Sequence, residues 1–217
     1  MVAKDETINK IELIARIHHV YKPKLELTLQ NSVMTEYGKS ISGYTNEYEM
    51  WVRSLGDKHF DMTTIIRLAS EIELGLKRYY MERKGYSSFA DFKNDPNVSA
   101  ATTCQRMESS KAKNSKKTKY ENVVTLFKGK LDVSLDSIAK FTEIRELFVL
   151  RHLYAHRVGI IDEHFLNGYQ TVTGIDLRLS TDVIKAGYPD KDVVWFVNNA
   201  EISRLIFASQ SFVKALP

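Results

Sequence analysis

The chain has 217 residues, of which 43% are hydrophobic and 27% are charged, and its formal net charge is +4. These values are typical of one soluble globular domain and exclude disordered, collagen-like and coiled-coil classes. No apolar stretch approaches the roughly 20 residues of a membrane span, and no signal peptide is evident, so we expect a cytoplasmic protein without membrane contact. The single cysteine, Cys104, excludes an internal disulfide framework and a cysteine-rich zinc site.

Two helices are predicted at the start of the chain. Apolar residues recur at helical spacing from Ile8, and Pro23 interrupts the pattern, so the first helix should end near Val20 or Tyr21. A short second helix around Trp51 should stop at Gly56, because glycine commonly ends helices.

A third helix of about five turns is predicted after Asp61, which is a candidate N-cap, and should end at Gly85. On this helix, Glu73 and Lys77 are one turn apart and can form an ion pair. Glu71 and Glu73 point in different directions, so one of these two acids is a candidate for an inward-facing carboxylate.

The segment 87–119 loses helical periodicity and is predicted to be an excursion from the helical bundle. Its second half carries six basic residues and one acid, a net charge of +5 that leaves −1 for the rest of the chain. Lysine clusters bind polyanions by displacing counterions from phosphates, which makes this segment a candidate RNA contact; a solvated loop without a partner is the alternative. The basic residues are Arg106, Lys111, Lys113, Lys116, Lys117 and Lys119.

Helical periodicity returns at Val123, and a long helix is predicted to begin after Asp132 or Ser134 and to stop before Gly159. Beyond this helix, residues 174–179 alternate like a half-buried strand, and residues 193–197 are β-branched or aromatic. These two segments are predicted to pair as a small hairpin.

A final amphipathic helix should follow Asn198, which forms a potential capping box with Glu201. The fold class is therefore predicted to be all-α, a single domain spanning 1–217 with a small β-hairpin near the C-terminus.

Several local patterns fail as functional motifs. Residues 38–40 read Gly-Lys-Ser like the end of a phosphate-binding loop, but Val33 occupies the position that requires glycine. Residues 18–19 are two histidines, and residues 162–164 are two acids and a histidine. Neither group has the spacing of a zinc site. We expect neither a metal ion nor a cofactor.

The long predicted helix carries charged side chains at positions where their burial would cost free energy. Residues 147–150 are apolar in every direction around one turn, which predicts burial on two sides, for example against the bundle and a second subunit. Arg151 falls within the apolar face, whereas Arg145, His152 and His156 lie on another strip of the helix.

A buried guanidinium needs a partner, so Arg151 should pair with Glu71 or Glu73, or in function with a phosphate. Taken singly, Arg151 is compatible with a structural ion pair, and His156 with a cation near a helix C-terminus that Gly159 closes. Their occurrence together on one helix favours a functional role.

The sequence Arg151-His152-Leu153-Tyr154-Ala155-His156 resembles the signature of the HEPN superfamily, in which an Arg is followed after four to six residues by a His. His152 fills the polar position that follows the Arg in this signature. The flanking residues 144–151 and 159–165 are similar to the RiboL-PSP group of HEPN ribonucleases, and the resemblance is strongest over 141–166.

The resemblance implies an antiparallel helical bundle that dimerises through the motif helix, with Arg151 and His156 of both chains in one cleft. Helical geometry supports a composite site independently, since residues five apart point about 140° away from each other. The implied activity is metal-independent RNA cleavage by a toxin or phage-defence endonuclease. An antitoxin or another defence-system component is a candidate further partner, and the sequence does not decide between them.

The resemblance also implies roles for individual residues. His156 is the acid or base, Arg151 stabilises the phosphate and transition state, and His152 is a polar helper. Val158 stands where HEPN toxins paired with nucleotidyltransferases carry a modified tyrosine, so control by tyrosine adenylylation is not expected. Supporting roles are expected for Glu71, Glu73 and Arg145.

Two other functions remain open at this point. The chain is alternatively a non-catalytic HEPN-like module for RNA or nucleotide binding, or for dimerisation, within a defence system. A third possibility is a phosphate- or nucleotide-binding regulator. Cleavage of RNA in EDTA distinguishes the first function from both of these.

Overall fold

The computed structural model describes residues 2–24, 45–88, 90–91 and 123–217, without the side chains of 45–57 and 125. Cys104, the Gly-Lys-Ser stretch at 38–40 and the basic residues from Arg106 to Lys119 lie outside this part of the chain. None of the helices described here is long and apolar enough to cross a membrane. The α-helices in the described ranges are α1 (Val2–Arg16), α2 (Thr45–Lys84), α3 (Val123–Leu131), α4 (Phe141–Arg157), α5 (Glu163–Thr173), α6 (Thr181–Lys185) and α7 (Asn199–Ala215).

Helix α4 lies at the centre of the bundle and packs against α2, α5 and α7, while α1 packs against α2 and α7. The core is built from the apolar faces of these helices, as their periodicity predicts. Its fully buried members include Ile65, Leu68, Ile72, Ile144, Leu147, Phe148, Leu150, Ile202, Leu205 and Phe212. The prediction of an all-α fold is confirmed.

The apolar turn 147–150 of α4 is completely buried within one chain. Helices α2, α5 and α7 surround α4 and together cover every direction of this turn. A second subunit is therefore not needed to bury it, which corrects the sequence argument for a dimer at this position.

The N-terminal helices are longer than predicted. Helix α2 runs for 40 residues without a break at Gly56, because one glycine costs only about 1 kcal/mol inside a helix. Asp61 is a buried mid-helix residue, not an N-cap, and its carboxylate accepts a hydrogen bond from Lys22 Nζ at 2.7 Å. At the other end, α2 stops before Gly85, whose φ of +70° confirms the predicted boundary.

The first helix changes geometry instead of ending. It is α-helical to Arg16 and continues as a π-helical turn over Ile17–Tyr21, and helical structure extends to residue 24. Pro23 therefore does not end it at the predicted residue.

Helix α4 begins later than predicted, at Phe141, because Lys140 adopts a left-handed conformation with φ of 71°. A separate 3-10 turn, Leu135–Ser137, takes up the residues after Ser134. The predicted end is confirmed, since Gly159 has a φ of +86° directly after the helix.

The predicted hairpin does not form between the two described segments. The first contains a 3-10 turn, Leu177–Leu179, stabilised by the Asp176 carboxylate, which accepts from Arg178 N at 3.1 Å. Arg178 also pairs with Glu163 at 2.6 Å, which holds the turn against α5. Side-chain capping thus replaces strand pairing.

The second predicted strand, residues 193–197, contacts the turn that follows α4. Ile161 N donates to Val193 O at 2.9 Å, and Trp195 N donates to Gly159 O at 2.8 Å. The only bridge in the described chain is an isolated antiparallel one between Ile160 and Val194.

The capping box before α7 is confirmed. Glu201 N donates to Asn198 Oδ1 at 2.9 Å, and Asn198 N donates to Glu201 Oε2 at 2.8 Å. The motif can be predicted from sequence because its two residues are only three positions apart.

Candidate active site on helix α4

Arg151 lies on the side of α4 that faces α2. Its Nη1 atom is 3.8 Å from Glu73 Oε2, and Lys77 Nζ is 2.6 Å from Glu73 Oε1. The side chains of Arg151, Glu73 and Lys77 are 27%, 21% and 25% exposed. One half-buried carboxylate therefore bridges two cations.

This contact decides between the two acids predicted as partners. Glu73 pairs with Arg151, whereas Glu71 Oε2 lies 3.8 Å from Lys10 Nζ of α1. The prediction of an internal carboxylate for Arg151 is confirmed, and Glu71 is not brought to the arginine.

Lys77 is the residue that sequence reasoning missed. The i,i+4 spacing from Glu73 predicted the Glu73–Lys77 pair, but a sequence does not indicate which face of α2 meets α4. Arg151 and Lys77 both pair with Glu73 and are each about a quarter exposed, and guanidinium and ammonium groups are both suited to phosphate binding.

Three histidines gather at the C-terminal end of α4. The ring of His152 lies 4.9 Å from that of His156 and 5.6 Å from that of His164, measured between centroids. His152 is half-buried, while His156 and His164 are exposed. His164 belongs to the first turn of α5, so the cluster combines two helices.

The turn between these helices is held by specific contacts. Asp162 caps α5 by accepting from Phe165 N at 2.8 Å, and its other oxygen lies 3.1 Å from Arg157 Nη2. Gly159 allows close packing here, because a Cβ atom at this position would approach Val194 Cγ1 to 2.9 Å. The direction from α4 into α5 is thus fixed.

The segment 193–197 also anchors α4 directly. Val197 N donates to the Tyr154 hydroxyl at 3.0 Å, and both groups are buried. Tyr154 is inside the motif, between His152 and His156, so this bond helps to hold the helix end that carries the imidazoles.

The surroundings of His152 disfavour its charged form. Burial is the largest cause that lowers the pKa of His152, followed by the positive charges on His156 and His164. Asp162 opposes this shift, and Arg157 adds to it. A histidine with a lowered pKa is neutral at neutral pH and can accept a proton.

Within one chain, the predicted catalytic residues fall into two groups. His152 and His156 are close together, as their spacing predicted, and the half-buried Arg145 lies two turns before His152 on the same strip. Arg151 faces α2 instead, in the direction that helical geometry gives for a residue five positions before His156.

Across the described ranges, no group of three histidine, cysteine or acidic side chains is arranged to hold a metal ion. No family model matches the chain, and no curated protein or solved structure matches it. The HEPN resemblance therefore rests on the residues of the motif and its flanks.

Proposed function

We propose that the chain is a metal-independent RNA endonuclease of the HEPN kind, of the toxin or phage-defence type, acting on cytoplasmic RNA. The observation that carries this proposal is the combination, on and beside one helix, of a half-buried arginine and three clustered imidazoles. A cognate antitoxin or defence-system partner belongs to the same proposal.

RNA cleavage of this kind needs three functions from the protein. A base removes the proton of the ribose 2′-hydroxyl as this oxygen attacks the adjacent phosphate, and an acid protonates the departing 5′-oxygen. Fixed cations stabilise the negative charge that builds on the phosphate. Imidazoles and a guanidinium are suited to these functions at neutral pH.

The cationic function is assigned to Arg151, with Lys77 beside it. Glu73 holds both cations in place before RNA binds, and the exposed quarter of each side chain lets a phosphate oxygen replace the carboxylate as partner. Since Arg151 Nη1 is 3.8 Å from Glu73, this ion pair is loose enough to exchange.

The proton-transfer function is assigned to His156, as acid or base, because its imidazole is exposed at the end of α4. His152 serves as the polar helper. Its half-buried ring contacts that of His156 and limits how the exposed ring is oriented.

A homodimer through the end of α4 brings the two functions together. Arg151 and His156 diverge by about 140° on a regular helix, so we assign Arg151 of one chain and His156 of the other to the same phosphate. Three apolar side chains, on the turn after α4 and on the segment bridged to it, are exposed and offer a surface for this contact: Val158, Ile160 and Val194, at 60%, 37% and 44%.

The experiment is an RNA cleavage assay in EDTA with purified protein. Wild type should produce 2′,3′-cyclic phosphate ends, and His156→Ala should lower the rate by about 100- to 10,000-fold while remaining folded. His59→Ala is the matched control, since His59 is also exposed on a helix but lies outside the cluster. Equal cleavage by wild type and His156→Ala contradicts the assignment.

A non-catalytic module for RNA or nucleotide binding, or for dimerisation, is the second candidate. It is favoured by the ion pair that Arg151 already forms with Glu73 within one chain. This function predicts RNA binding without cleavage and equal toxicity of wild type and His156→Ala on expression. Growth arrest that is relieved by His156→Ala supports the nuclease instead.

A further inference from the structure

His164 lies outside the Arg-to-His motif, and its ring nevertheless belongs to the motif's imidazole cluster. We infer that His164 is a further catalytic residue, which forms the acid and base pair together with His156 of the same chain. This inference rests on the proposed RNA cleavage and assigns the second proton transfer, which the motif alone leaves open.

Two exposed imidazoles, the outer rings, each lie beside a less accessible imidazole, the central ring. The centroids of His156 and His164 lie 4.9 Å and 5.6 Å from that of His152, and only the two outer rings are exposed. The outer rings can therefore contact a substrate, while the central ring orients them.

The positions of both outer rings are fixed by secondary structure. His156 is in the last turn of α4 and His164 is in the first turn of α5. The cap on α5 from Asp162 and the pair between Asp162 and Arg157 hold the intervening turn. A preorganised pair of this kind avoids reorganisation during the reaction.

The charged groups around the cluster leave the imidazoles as its proton carriers. On α4 and the following turn, Arg157 pairs with Asp162 at 3.1 Å. On α5, Glu163 is held by Arg178 at 2.6 Å and accepts a hydrogen bond from the Tyr188 hydroxyl at 2.6 Å. The neighbouring carboxylates are thus already engaged with other partners.

The two outer rings lie at opposite kinds of helix end. His156 is in the last turn of α4 and His164 is in the first turn of α5, so the two rings lie near opposite poles of a helix dipole. On this placement the base is assigned to His164 and the acid to His156. Two imidazoles in different surroundings are suited to opposite roles in one reaction.

The proton transfers balance across the reaction. His164 takes the proton of the 2′-hydroxyl as the bond from O2′ to phosphorus forms. His156 gives its proton to O5′ as the bond from phosphorus to O5′ breaks, leaving a 2′,3′-cyclic phosphate and a 5′-hydroxyl. Exchange with water then removes the proton from His164 and restores the proton of His156.

Two substrates separate the acid from the base. One is an ordinary oligoribonucleotide, and the other carries sulfur in place of the bridging O5′, so that its leaving group does not need protonation. His164→Asn should slow cleavage of both substrates by about 100-fold and remove the low-pH limb of the pH–rate profile. His156→Ala should be slow on the first substrate and largely restored on the second.

The outcomes distinguish this inference from the proposed function. If wild type cleaves RNA and His164→Asn stays within about threefold of it at every pH, the inference is overturned while the proposed function stands. Restored cleavage of the sulfur substrate by His164→Asn also overturns the assignment of His164 as base. If wild type cleaves neither substrate, the proposed function fails and the inference fails with it. His59→Asn is the matched control, and circular dichroism verifies folding of each variant.

Discussion

His18 is a buried histidine whose protonation should control the acid stability of the fold. It is 3% exposed, and its Nδ1 atom lies 3.7 Å from Asp61 Oδ1. Lys22 lies in the same cluster and donates to Asp61 at 2.7 Å and to Asn199 Oδ1 at 3.1 Å. Burial, followed by the positive charges of Lys22 and His19, lowers the pKa of His18 from 6.5 to about 4.

The size and sign of the effect follow from this shift. A lowering of the pKa from 6.5 to about 4 corresponds to a free energy on the order of 3 kcal/mol. Between these pH values the unfolded chain binds a proton at His18 that the folded chain does not bind. The free energy of unfolding therefore keeps its full value above pH 6.5 and falls as the pH decreases towards about 4.

Urea denaturation of wild type and His18→Gln, at several pH values across this range, measures the effect. The free energy of unfolding of wild type should decrease with acidification by up to about 1.4 kcal/mol per pH unit more than that of His18→Gln. The comparison of slopes remains valid if the variant is less stable at neutral pH. His59→Gln should keep the wild-type slope, since His59 is exposed. Equal slopes for wild type and His18→Gln would refute the reasoning.

Three other predictions concern packing, an ion pair with a buried carboxylate, and the basic segment. Gly75→Ala should lower the free energy of unfolding by about 1 to 3 kcal/mol, because its Cβ would lie 2.6 Å from Thr7 Oγ1. Gly129→Ala should raise the thermal midpoint instead, because its Cβ would meet no atom of the described residues within 4 Å, apart from its chain neighbours and its own helix backbone. Arg204→Met removes the 2.6 Å partner of the buried Glu146 carboxylate and should cost about 2 to 3 kcal/mol in urea denaturation, most of it recovered by adding Glu146→Met. In filter binding, replacing the basic residues 111, 113, 116, 117 and 119 by alanine should flatten the salt dependence of RNA affinity by about 0.7 per lost phosphate contact, and an unchanged slope contradicts a role in RNA binding.

The sequence predicted those parts of the fold whose determinants are local. The capping box of Asn198 and Glu201, and the stop at Gly159, are recognisable because all their partners lie within a few residues. The predicted helix end at Gly56 was wrong, because the free-energy cost of one glycine inside a helix is small and a long continuous helix outweighs it. The prediction of a hairpin was wrong, because alternation of apolar and polar residues indicates a half-buried segment but does not identify its partner. Residues 193–197 contact the turn after α4 instead.

The residues of the candidate site also separate into those that the sequence predicts and those whose positions depend on distant contacts. A buried guanidinium requires a partner, so an ion pair between Arg151 and an acid of α2 was predictable, although the choice of Glu73 over Glu71 depends on how α2 rotates against α4. The position of His164 was not predictable, because it depends on the direction in which the chain leaves α4. That direction is set by contacts between Gly159 and residues 193–197, which are distant in sequence.

The middle of α4 is covered by its own chain, so the proposed dimer contact lies at the end of this helix instead. Its apolar turn at 147–150 is buried by the chain itself, so substitutions there should unfold the monomer and reveal nothing about association. Val158, at the end of α4, is 60% exposed and has a left-handed backbone with φ of 52°. Aspartate tolerates this conformation better than valine, so Val158→Asp should fold normally.

Val158→Asp adds a charge beside the apolar side chains of Ile160 and Val194 and, in a dimer, opposite its own copy. If Arg151 and His156 from two chains act on one phosphate, this variant should sediment as a monomer and lose RNA cleavage by about 100-fold or more. Val20→Asp is the matched control, because Val20 is also exposed and lies in the π-helical turn. A monomeric Val158→Asp protein that cleaves RNA at the wild-type rate would show that each chain contains a complete site, since no second chain would then be present to supply Arg151.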